Sequence, residues 1–420
     1  MRKIIEHGVS YSVVPFGTSR QMFLVAEPEE NYLCSEDNTQ GHGETTSDWS
    51  RQIHSLFKSC QTVLHREHFG ENTALMGHFF LADIGKKELV RQIFSEFFPK
   101  YSCAFTFIPQ PPASGVVAGL ELWAITGGNS KSIPISVESP QPGFVITTEF
   151  DDLRWFFIGD VRPDHLSIGA YERSLAAFQR LGRQLEQNGF CLGQIVRTWI
   201  YQGHLVLPEG KTQRYKELNR ARTDFFKGVE FLKDYLPLGY CGGVYPASTG
   251  IGADDVDVVI GAIAVSANRK DFTAVPLENP NQTSAFDYGA VYSPQSPKFS
   301  RAMALAIPNS CFIFVSGTAS ITESESRFPE NPEKQTEQTL DNIAALIDGK
   351  NLEKHGISGF VSDLSHLKCA RVYVKRPNEL AIIKSVCDKR LKNIPILYTI
   401  ADVCRPELLV EIEGFVVVNR

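Results

Sequence analysis

Two spacings of apolar residues alternate along the chain. Runs in which apolar positions alternate or are continuous, such as CFIFVSGTASI at 311–321, precede stretches with apolar residues three or four positions apart, such as EKQTEQTLDNIAALI at 333–347. The first spacing is typical of β-strands and the second of amphipathic helices. The pattern therefore predicts a mixed chain in which strands and helices are interleaved.

The central and C-terminal thirds of the chain repeat one order of predicted elements: opening strands, a helix, a strand, a second helix and closing strands. In the last third, the elements after the first helix are a strand at 368–376, a helix at 377–391 and strands at 394–404 and 408–418. In the central third they are strands at 144–161, a helix at 171–187, a strand at 193–202, a helix at 212–231 and closing segments at 245–266. The repeat predicts homologous domains, although α/β patterns also resemble one another by chance.

The first third follows the same order more loosely, with helices at 48–67 and 86–98 on either side of a strand at 73–84. A polar, glycine-bearing segment at 35–48 predicts a loop within this third.

Segments rich in Pro and Asn, at 135–143 and 269–286, predict linkers between the copies. They divide the chain into three predicted domains of ordinary single-domain size, at 1–135, 143–268 and 285–420.

The composition is that of a globular protein, since 43% of the 420 residues are hydrophobic and the formal net charge is −6. No block of Lys and Arg occurs, so the sequence predicts no nucleic-acid partner and favours small molecules. The nine cysteines are scattered and form no C-x-x-C pair, which favours a reducing, cytoplasmic location. No run approaches the ~18 apolar residues of a membrane span, so no membrane association is predicted.

Several segments of the last two thirds resemble a known family when they are taken together and in order. They are VRTWIYQ, RYKELNRARTDFF, YPASTGIG, FVSGTASI, QTxxTLxNI and ADVCRPELLVEIEG. Over residues 143–418 the chain resembles the chorismatases, and its repeated unit with a closing V-E-I-E strand resembles the YjgF-like domain of reactive-intermediate deaminases. The resemblance implies an α/β (α+β) chain of tandem YjgF-like, chorismate-mutase-like domains. These would form an internal pseudo-trimer, which favours a monomer.

The resemblance also implies an activity. Chorismatases cleave the enolpyruvyl ether of chorismate, releasing pyruvate and either a dihydroxycyclohexadienoate or a hydroxybenzoate, without metal or organic cofactor. The sequence has no Cys/His spacing typical of a metal site and no glycine-rich nucleotide motif. Cleavage of an enol ether requires a proton donor, anchors for two carboxylates and a shielded cavity. Arginine suits the anchors because its planar guanidinium binds carboxylates bidentately.

The predicted helix at 212–231 carries the first candidate anchors. Tyr215, Asn219 and Arg222 are spaced to share one face, although a solvated face has the same spacing. A Gly- and hydroxyl-rich turn follows, in which Ser248, Thr249 and the backbone of Gly250 are candidates for binding an anion. An ordinary tight turn would look the same.

The last third supplies further candidates for binding substrate. Thr318 lies in a second hydroxyl-rich turn, and Arg405 is a second arginine anchor. Arg371, like Arg197 in the central third, is a basic residue inside a strand, where pairing with a neighbouring carboxylate is the simpler interpretation. Glu413 alternates with Glu411 onto one face of the closing strand, where an inward Glu would orient Arg405 or water.

One position departs from the family. The resemblance implies a site helix that reads Q-T-x-E-T, in which the Glu is the general acid. Here residues 335–339 read QTEQT, so Gln338 occupies the position of the acid. A carboxamide does not deliver a proton to carbon at neutral pH. The sequence leaves open whether a nearby carboxylate replaces it, and the candidates are Glu323, Glu325, Glu330 and Glu337.

Three functional hypotheses follow. The first is a chorismatase-type enzyme acting on chorismate or a close analogue. The second is a catalytically impaired or repurposed homologue that binds chorismate-like dicarboxylates between two domains. The third is a YjgF-like deaminase activity on imines. Under the assignment of the acid to residue 338, turnover is predicted to be slow.

Overall fold

The structure, a computed structural model, describes residues 4–6, 8–28, 46–70, 73–127, 135–138, 144–164, 169–255, 257–289 and 295–420. Most of the loop predicted at 35–48 lies outside the described residues.

The first sheet has six strands in the order β1-β2-β3-β6-β4-β5. Its elements along the chain are β1 (Ile4–Glu6), β2 (Val9–Phe16), β3 (Ser19–Ala26), α1 (Thr46–Arg66), β4 (Ala74–Leu81), α2 (Lys87–Phe97), β5 (Ser102–Ile108) and β6 (Ala118–Gly127). Strands β4 and β5 pair in parallel, and α2 makes the crossover between them, as a parallel connection requires.

The second sheet has the order β13-β10-β14-β9-β8-β7. Its elements are β7 (Ile135–Glu138), β8 (Phe144–Phe150), β9 (Leu153–Val161), α3 (Ala170–Gln187), β10 (Ile195–Gly203), the two-stranded β11 (Pro208–Glu209) and β12 (Thr212–Gln213), α4 (Arg214–Phe225), β13 (Ala247–Ala253) and β14 (Val258–Ala267).

The third sheet has the order β15-β16-β17-β22-β20-β21. Its elements are β15 (Thr273–Leu277), β16 (Ala302–Ile307), β17 (Ser310–Ala319), the hairpin β18 (Ile321–Thr322) and β19 (Glu325–Ser326), α5 (Pro332–Ile347), α6 (Gly349–Lys354), β20 (Leu367–Val374), α7 (Leu380–Arg390), β21 (Ile396–Ile400) and β22 (Val410–Asn419).

The three sheets share one topology. When the strands of each are numbered from its own N-terminal strand, every sheet reads 1-2-3-6-4-5. The opening strands β7 and β15 lie in the segments that the sequence assigned to linkers. The domain boundaries inferred from the sequence stay a prediction.

Two segments with the composition of turns are strands, and the second belongs to the stretch at 311–321 that the spacing of apolar residues predicts as a strand. Residues 247–253 pair in parallel with β10, with Ser248 opposite Thr198. Residues 316–319 continue β17, and Thr318 lies opposite Ile412 of β22. Small and hydroxyl-bearing residues are typical of turns, but here the neighbouring strand supplies the hydrogen bonds that make these segments extended. The helix predicted at 212–231 ends at Phe225, and Gly228 soon follows in the left-handed region with φ +78°.

The inner faces of the three sheets meet in one core. Phe23 of the first sheet stacks on Phe415 of the third with ring centroids 5.1 Å apart. Trp123 of the first sheet contacts Phe157 of the second at 5.4 Å and Phe312 of the third at 5.1 Å. The outer faces are covered by helices, α1 and α2 on the first sheet and α5 and α7 on the third. The three units therefore surround a shared interior.

Candidate functional site

Each sheet ends in a parallel pair whose edge strand faces the next sheet, which creates three equivalent junctions. Two of them are closed by backbone. At the β5–β9 junction, a methyl group at Gly159 would collide with the carbonyl oxygen of Phe105. At the β21 junction, the Ile400 amide donates to the Pro111 carbonyl at 2.9 Å, and the Ala113 amide donates to the Tyr398 carbonyl at 2.9 Å.

The third junction, between β13 and β17, opens into a cavity of about 260 Å³. The lining comes from both the second and the third sheet. It consists of Gln213, Tyr215, Lys216, Asn219, Arg222, Ser248, Gly250, Tyr288, Pro297, Phe299, Arg301, Gly317, Ala319, Ile321, Cys404, Arg405, Pro406, Glu407 and Glu411.

Arg222 on α4 is a buried cation in the wall contributed by the second sheet. Its side chain donates to Asn219 Oδ1 at 2.6 Å and to Ser248 Oγ at 3.3 Å, and it lies over the ring of Phe299. Burial lowers the pKa of this guanidinium, and Tyr215 opposes that effect. Within the described residues, no carboxylate pairs with Arg222. A buried charge without a counter-ion is costly, so the geometry favours an anionic ligand.

The wall contributed by the third sheet adds two more guanidinium groups. Arg301, only 4% exposed, donates to the Tyr288 hydroxyl at 2.6 Å and to the Thr283 carbonyl at 2.9 Å. Arg405 donates to the Ser324 carbonyl at 2.9 Å, so the β18–β19 hairpin orients it. Together with Arg222, these cations make the cavity suitable for a ligand with two carboxylates.

Glu411 on β22 is a buried carboxyl group in this cationic cavity. Burial, followed by repulsion from Glu413, raises its pKa to about 8, whereas Arg197 and Arg301 lower it. Within the part of the chain that the structure describes, the carboxyl group of Glu411 makes no hydrogen bond or ion pair. At neutral pH the group is therefore mostly protonated and able to donate a proton.

A β-bulge explains how Glu411 reaches the cavity. The pairing of β17 with β22 shifts register between Val315 and Thr318, next to Gly317. Bulges open a sheet locally and are common beside active sites. A methyl group at residue 317 would collide with the Glu411 carboxyl group, so a larger residue there would displace this group.

Replacing Gly317 with Ala should therefore reduce activity without unfolding the protein, because Glu411 must move to avoid the new methyl group. We expect kcat to fall by at least about tenfold, as is usual when a catalytic group is misplaced by ~1 Å. Steady-state kinetics beside a thermal melt would measure this. The matched control is Gly70→Ala, after α1, where a methyl group meets no neighbour within 4 Å and the backbone is not in the left-handed region. Equal losses of kcat in Gly317→Ala and in the control would contradict the inference that the Glu411 carboxyl group needs the space beside Gly317.

Cys404 also lines the cavity, but it is not a nucleophile at neutral pH. Burial, followed by the charge of Glu411, raises the pKa of its thiol to about 12. The reactive form of cysteine is the thiolate, which is scarce at such a pKa.

The cavity brings together six of the residues selected from the sequence. They are Tyr215, Asn219, Arg222, Ser248, Gly250 and Arg405. The other five, Thr249, Thr318, Arg371, Glu413 and Gln338, lie outside its lining. Thr318 donates to the carbonyl of Ser316, and Arg371 pairs with Glu121 and Glu413 in the interior.

Gln338 is half-buried on α5 and donates to Asn342 Oδ1 at 3.0 Å. The carboxylates considered as substitutes for an acid at 338 also lie outside the cavity lining: Glu323, Glu325 and Glu330 are exposed, and Glu337 is paired with Arg390.

The first residue of the QTEQT segment has a different role. Gln335 is fully buried, donates to the Glu407 carbonyl at 2.8 Å and accepts from the Leu409 amide at 2.8 Å. These bonds hold the segment that carries Arg405 against α5. The helix therefore supports the cavity from behind.

Sequence reasoning did not identify Arg301 or the exposure of Glu411 to the cavity. Arg301 precedes β16 in a segment without a motif. The signal for Glu411 was the pair of acidic residues at alternate positions of β22, which places both on one face but does not say which of them reaches a cavity.

Comparison with known proteins identifies relatives. A 3-hydroxybenzoate synthase from Streptomyces hygroscopicus is 31% identical over 280 residues, which cover 64% of this chain and 76% of the relative. The chain belongs to the chorismatase family. A chorismatase from Streptomyces rapamycinicus is 37% identical over 232 residues, covering 53% of this chain and 64% of the relative. A chorismatase from Streptomyces hygroscopicus is 36% identical over 176 residues, covering 41% of this chain and 48% of the relative.

A chorismatase crystal structure shares the fold of this family member, with a TM-score of 0.62 over 82% of this chain and 93% of that chain, at 21% identity. The predicted α+β, YjgF-like fold class is confirmed. No family model matches the chain. In this chorismatase-family chain, no described helix has the length and apolar character needed to cross a bilayer. The described residues also contain no cluster of three potential metal ligands.

Proposed function

We propose that this protein cleaves the enolpyruvyl ether of chorismate, or of a close analogue, to pyruvate and a dihydroxycyclohexadienoate or hydroxybenzoate. The observation that carries the proposal is the buried carboxyl group of Glu411, with its pKa raised to about 8, in a cavity lined by three arginines. Chorismate carries two carboxylates and an acid-labile enol ether, and it matches both features. The names of the relatives, chorismatase and 3-hydroxybenzoate synthase, support the same substrate.

The proposed reaction begins when Glu411 donates its proton to the terminal methylene carbon of the enol ether. The ether carbon becomes an oxocarbenium-like centre, and Glu411 is left as a carboxylate that stabilises it. Water, or a hydroxyl group of the ring, traps this centre. Addition of water returns one proton to the Glu411 carboxylate and gives a hemiketal, which collapses to pyruvate and the ring alcohol, consuming one water in all. Formation of a hydroxybenzoate consumes no net water, because the ring also loses a water as it aromatises.

The three arginines of the cavity position the substrate for this reaction. They bind the substrate carboxylates, and the walls of the cavity limit access of bulk water to the cationic centre. Arg222 binds one carboxylate from the second sheet, and Arg301 with Arg405 binds the other from the third. The ligand therefore bridges the two sheets.

The alternative of an impaired homologue depended on Gln338 as the replaced acid. Because Gln338 lies outside the cavity lining and Glu411 lies within it, we favour the active enzyme. An imine deaminase has no specific support in this cavity.

Purified protein mixed with chorismate should release pyruvate, which a coupled lactate dehydrogenase assay measures. The rate should be highest below pH 8 and decline tenfold per unit above it, because Glu411 acts in its protonated form and its pKa is about 8. A rate that rises through pH 8 would contradict the assignment. The absence of pyruvate at every pH would overturn the proposed reaction.

The proposal includes a monomeric protein in the cytoplasm. The monomer is supported by the three sheets, which already bury one another's inner faces. The cytoplasm is supported by the cysteines, since all eight in the described part of the chain are free thiols.

A further inference from the structure

A buried ionic cluster lies where the three sheets meet, behind the wall of the cavity. At its centre, Glu413 is bound by two guanidinium groups, Arg197 from the second sheet and Arg371 from the third, the latter at 2.6 Å. Arg371 also pairs with Glu121 of the first sheet at 2.5 Å. The side chain of Glu413 is 4% exposed, and Glu413 does not line the cavity. It is therefore out of reach of a substrate, and the mechanism above does not use it.

Glu413 is nevertheless linked to the proton donor. The Thr249 hydroxyl donates to Glu413 and accepts from the Gly317 amide at 3.0 Å. Gly317 is the residue against which the Glu411 carboxyl group lies. In addition, Glu411 and Glu413 are two positions apart on β22, so both side chains project from one face of the strand.

We propose that Glu413 is a positioning residue for the reaction: its carboxylate, clamped by Arg197 and Arg371, places a negative charge beside the Glu411 carboxyl group and holds the Gly317 wall in place. This inference rests on the proposed function. Two guanidinium groups hold the Glu413 carboxylate in place, and a negative charge beside a second buried carboxyl group disfavours ionisation of that group. The clamp also explains why a paired carboxylate is retained in an otherwise apolar interior.

Other charged or titratable groups also surround Glu411. Arg197 and Arg301 favour its ionised form, and Glu413 opposes it. The remaining groups that line the same cavity are Tyr215, Lys216, Arg222, Tyr288, Cys404, Arg405 and Glu407. Tyr373 lies opposite Glu411 on β20 and donates to Glu413 at 3.0 Å. Among these groups, Glu413 and Arg197 form a matched pair of opposite charge whose removal has opposite predicted effects.

The test is the alkaline limb of the pH profile for pyruvate release. Glu413→Gln removes a negative neighbour, so the limb should move to lower pH by about one unit or more. Arg197→Gln removes a positive neighbour, so the limb should move to higher pH. The control is Glu330→Gln, in an exposed pair with Arg376, which should leave the limb unchanged. A purely structural role would lower the rate at every pH and leave the limb in place, and that result overturns the proposal.

A second pair of variants separates positioning from charge. Thr249→Val removes the hydroxyl that joins Glu413 to Gly317. It should therefore lower kcat without moving the alkaline limb of the pH profile. Thr249→Ser keeps the hydroxyl and should retain most of the rate. Equal kcat values for Val and Ser would refute the positioning half of the proposal.

An infrared titration keeps the inference testable without activity. The carbonyl stretch of the protonated Glu411 carboxyl group is assigned by its loss in Glu411→Gln, and its midpoint is then followed with pH. The midpoint should fall in Glu413→Gln and rise in Arg197→Gln. A wild type that releases no pyruvate but shows these shifts contradicts the proposed reaction alone. Unmoved midpoints in folded variants, verified by thermal melts, contradict the inference alone.

Discussion

Glu411→Gln should release pyruvate from chorismate about 10²–10⁴-fold more slowly than the wild type, which is the usual contribution of a general acid. The amide has nearly the shape of the protonated carboxyl group, so the cavity is preserved while the transferable proton is lost. Substrate should still bind, since the arginines are unchanged. Pyruvate release and calorimetric titration with chorismate measure the two effects separately.

Glu411→Gln should also change how the stability of the protein depends on pH. The pKa of Glu411 is raised in the folded protein from 4.5 to about 8, so the folded state holds a proton that the unfolded chain releases between these values. Wild-type stability is therefore lost as pH rises through this window. Glu411→Gln should abolish that loss and make the protein more stable than the wild type at pH 9, as measured by chemical denaturation.

Gln338→Glu is the natural comparison for this experiment. Restoring the acid at 338 should leave the rate unchanged, because that side chain lies outside the cavity lining. A large gain in rate from Gln338→Glu, or a wild-type rate in Glu411→Gln, would favour residue 338 over Glu411 as the position of the general acid.

Arg222→Met should weaken chorismate binding by about 2–5 kcal/mol, the usual cost of removing one partner from a buried charge pair. In the ligand-free protein, Arg222→Met should instead raise the free energy of unfolding. Arg222 has no carboxylate partner among the described residues, and a well-packed apolar side chain often replaces a buried charge without loss of stability. Calorimetry with chorismate and denaturation of the free protein measure the two quantities.

The matched control is Arg220→Met on the same helix. The Arg220 side chain is 46% exposed and pairs with Glu217 at 2.8 Å, so its removal should leave chorismate binding unchanged. Equal losses of affinity in both variants would indicate a general effect of charge on α4. An unchanged affinity in Arg222→Met would show that this residue does not hold a substrate carboxylate.

The spacing of apolar residues predicted most helices and strands, because that spacing reports directly which faces are buried. It failed at 247–253, where Gly, Ser and Thr are typical of turns. The segment is a strand only because β10 lies beside it in parallel, and a sequence pattern does not contain that distant partner. The opening strands β7 and β15 were missed for a related reason, since Pro and Asn nearby indicated linkers.

The site was partly predictable. The face of α4 with Tyr215, Asn219 and Arg222 followed from helical geometry, since residues three and four apart share a face. The choice between Glu411 and Glu413 did not follow from geometry, since alternate strand residues are equivalent until the neighbouring sheet is placed. The acid was sought on α5 because of a family motif, whereas that helix contributes Gln335 to the support of the cavity wall.

The two closed junctions have a consequence for how this protein can change over evolutionary time. In a symmetric trimer of separate subunits, one mutation alters every interface at once, so all clefts must remain compatible with it. A fused chain is free of that constraint. Residues such as Gly159 and the segment around Pro111 can specialise in packing the closed junctions. Glu411 and the arginines can then specialise for the proposed reaction. Each polypeptide is then expected to take up a single molecule of ligand, although its architecture has threefold character.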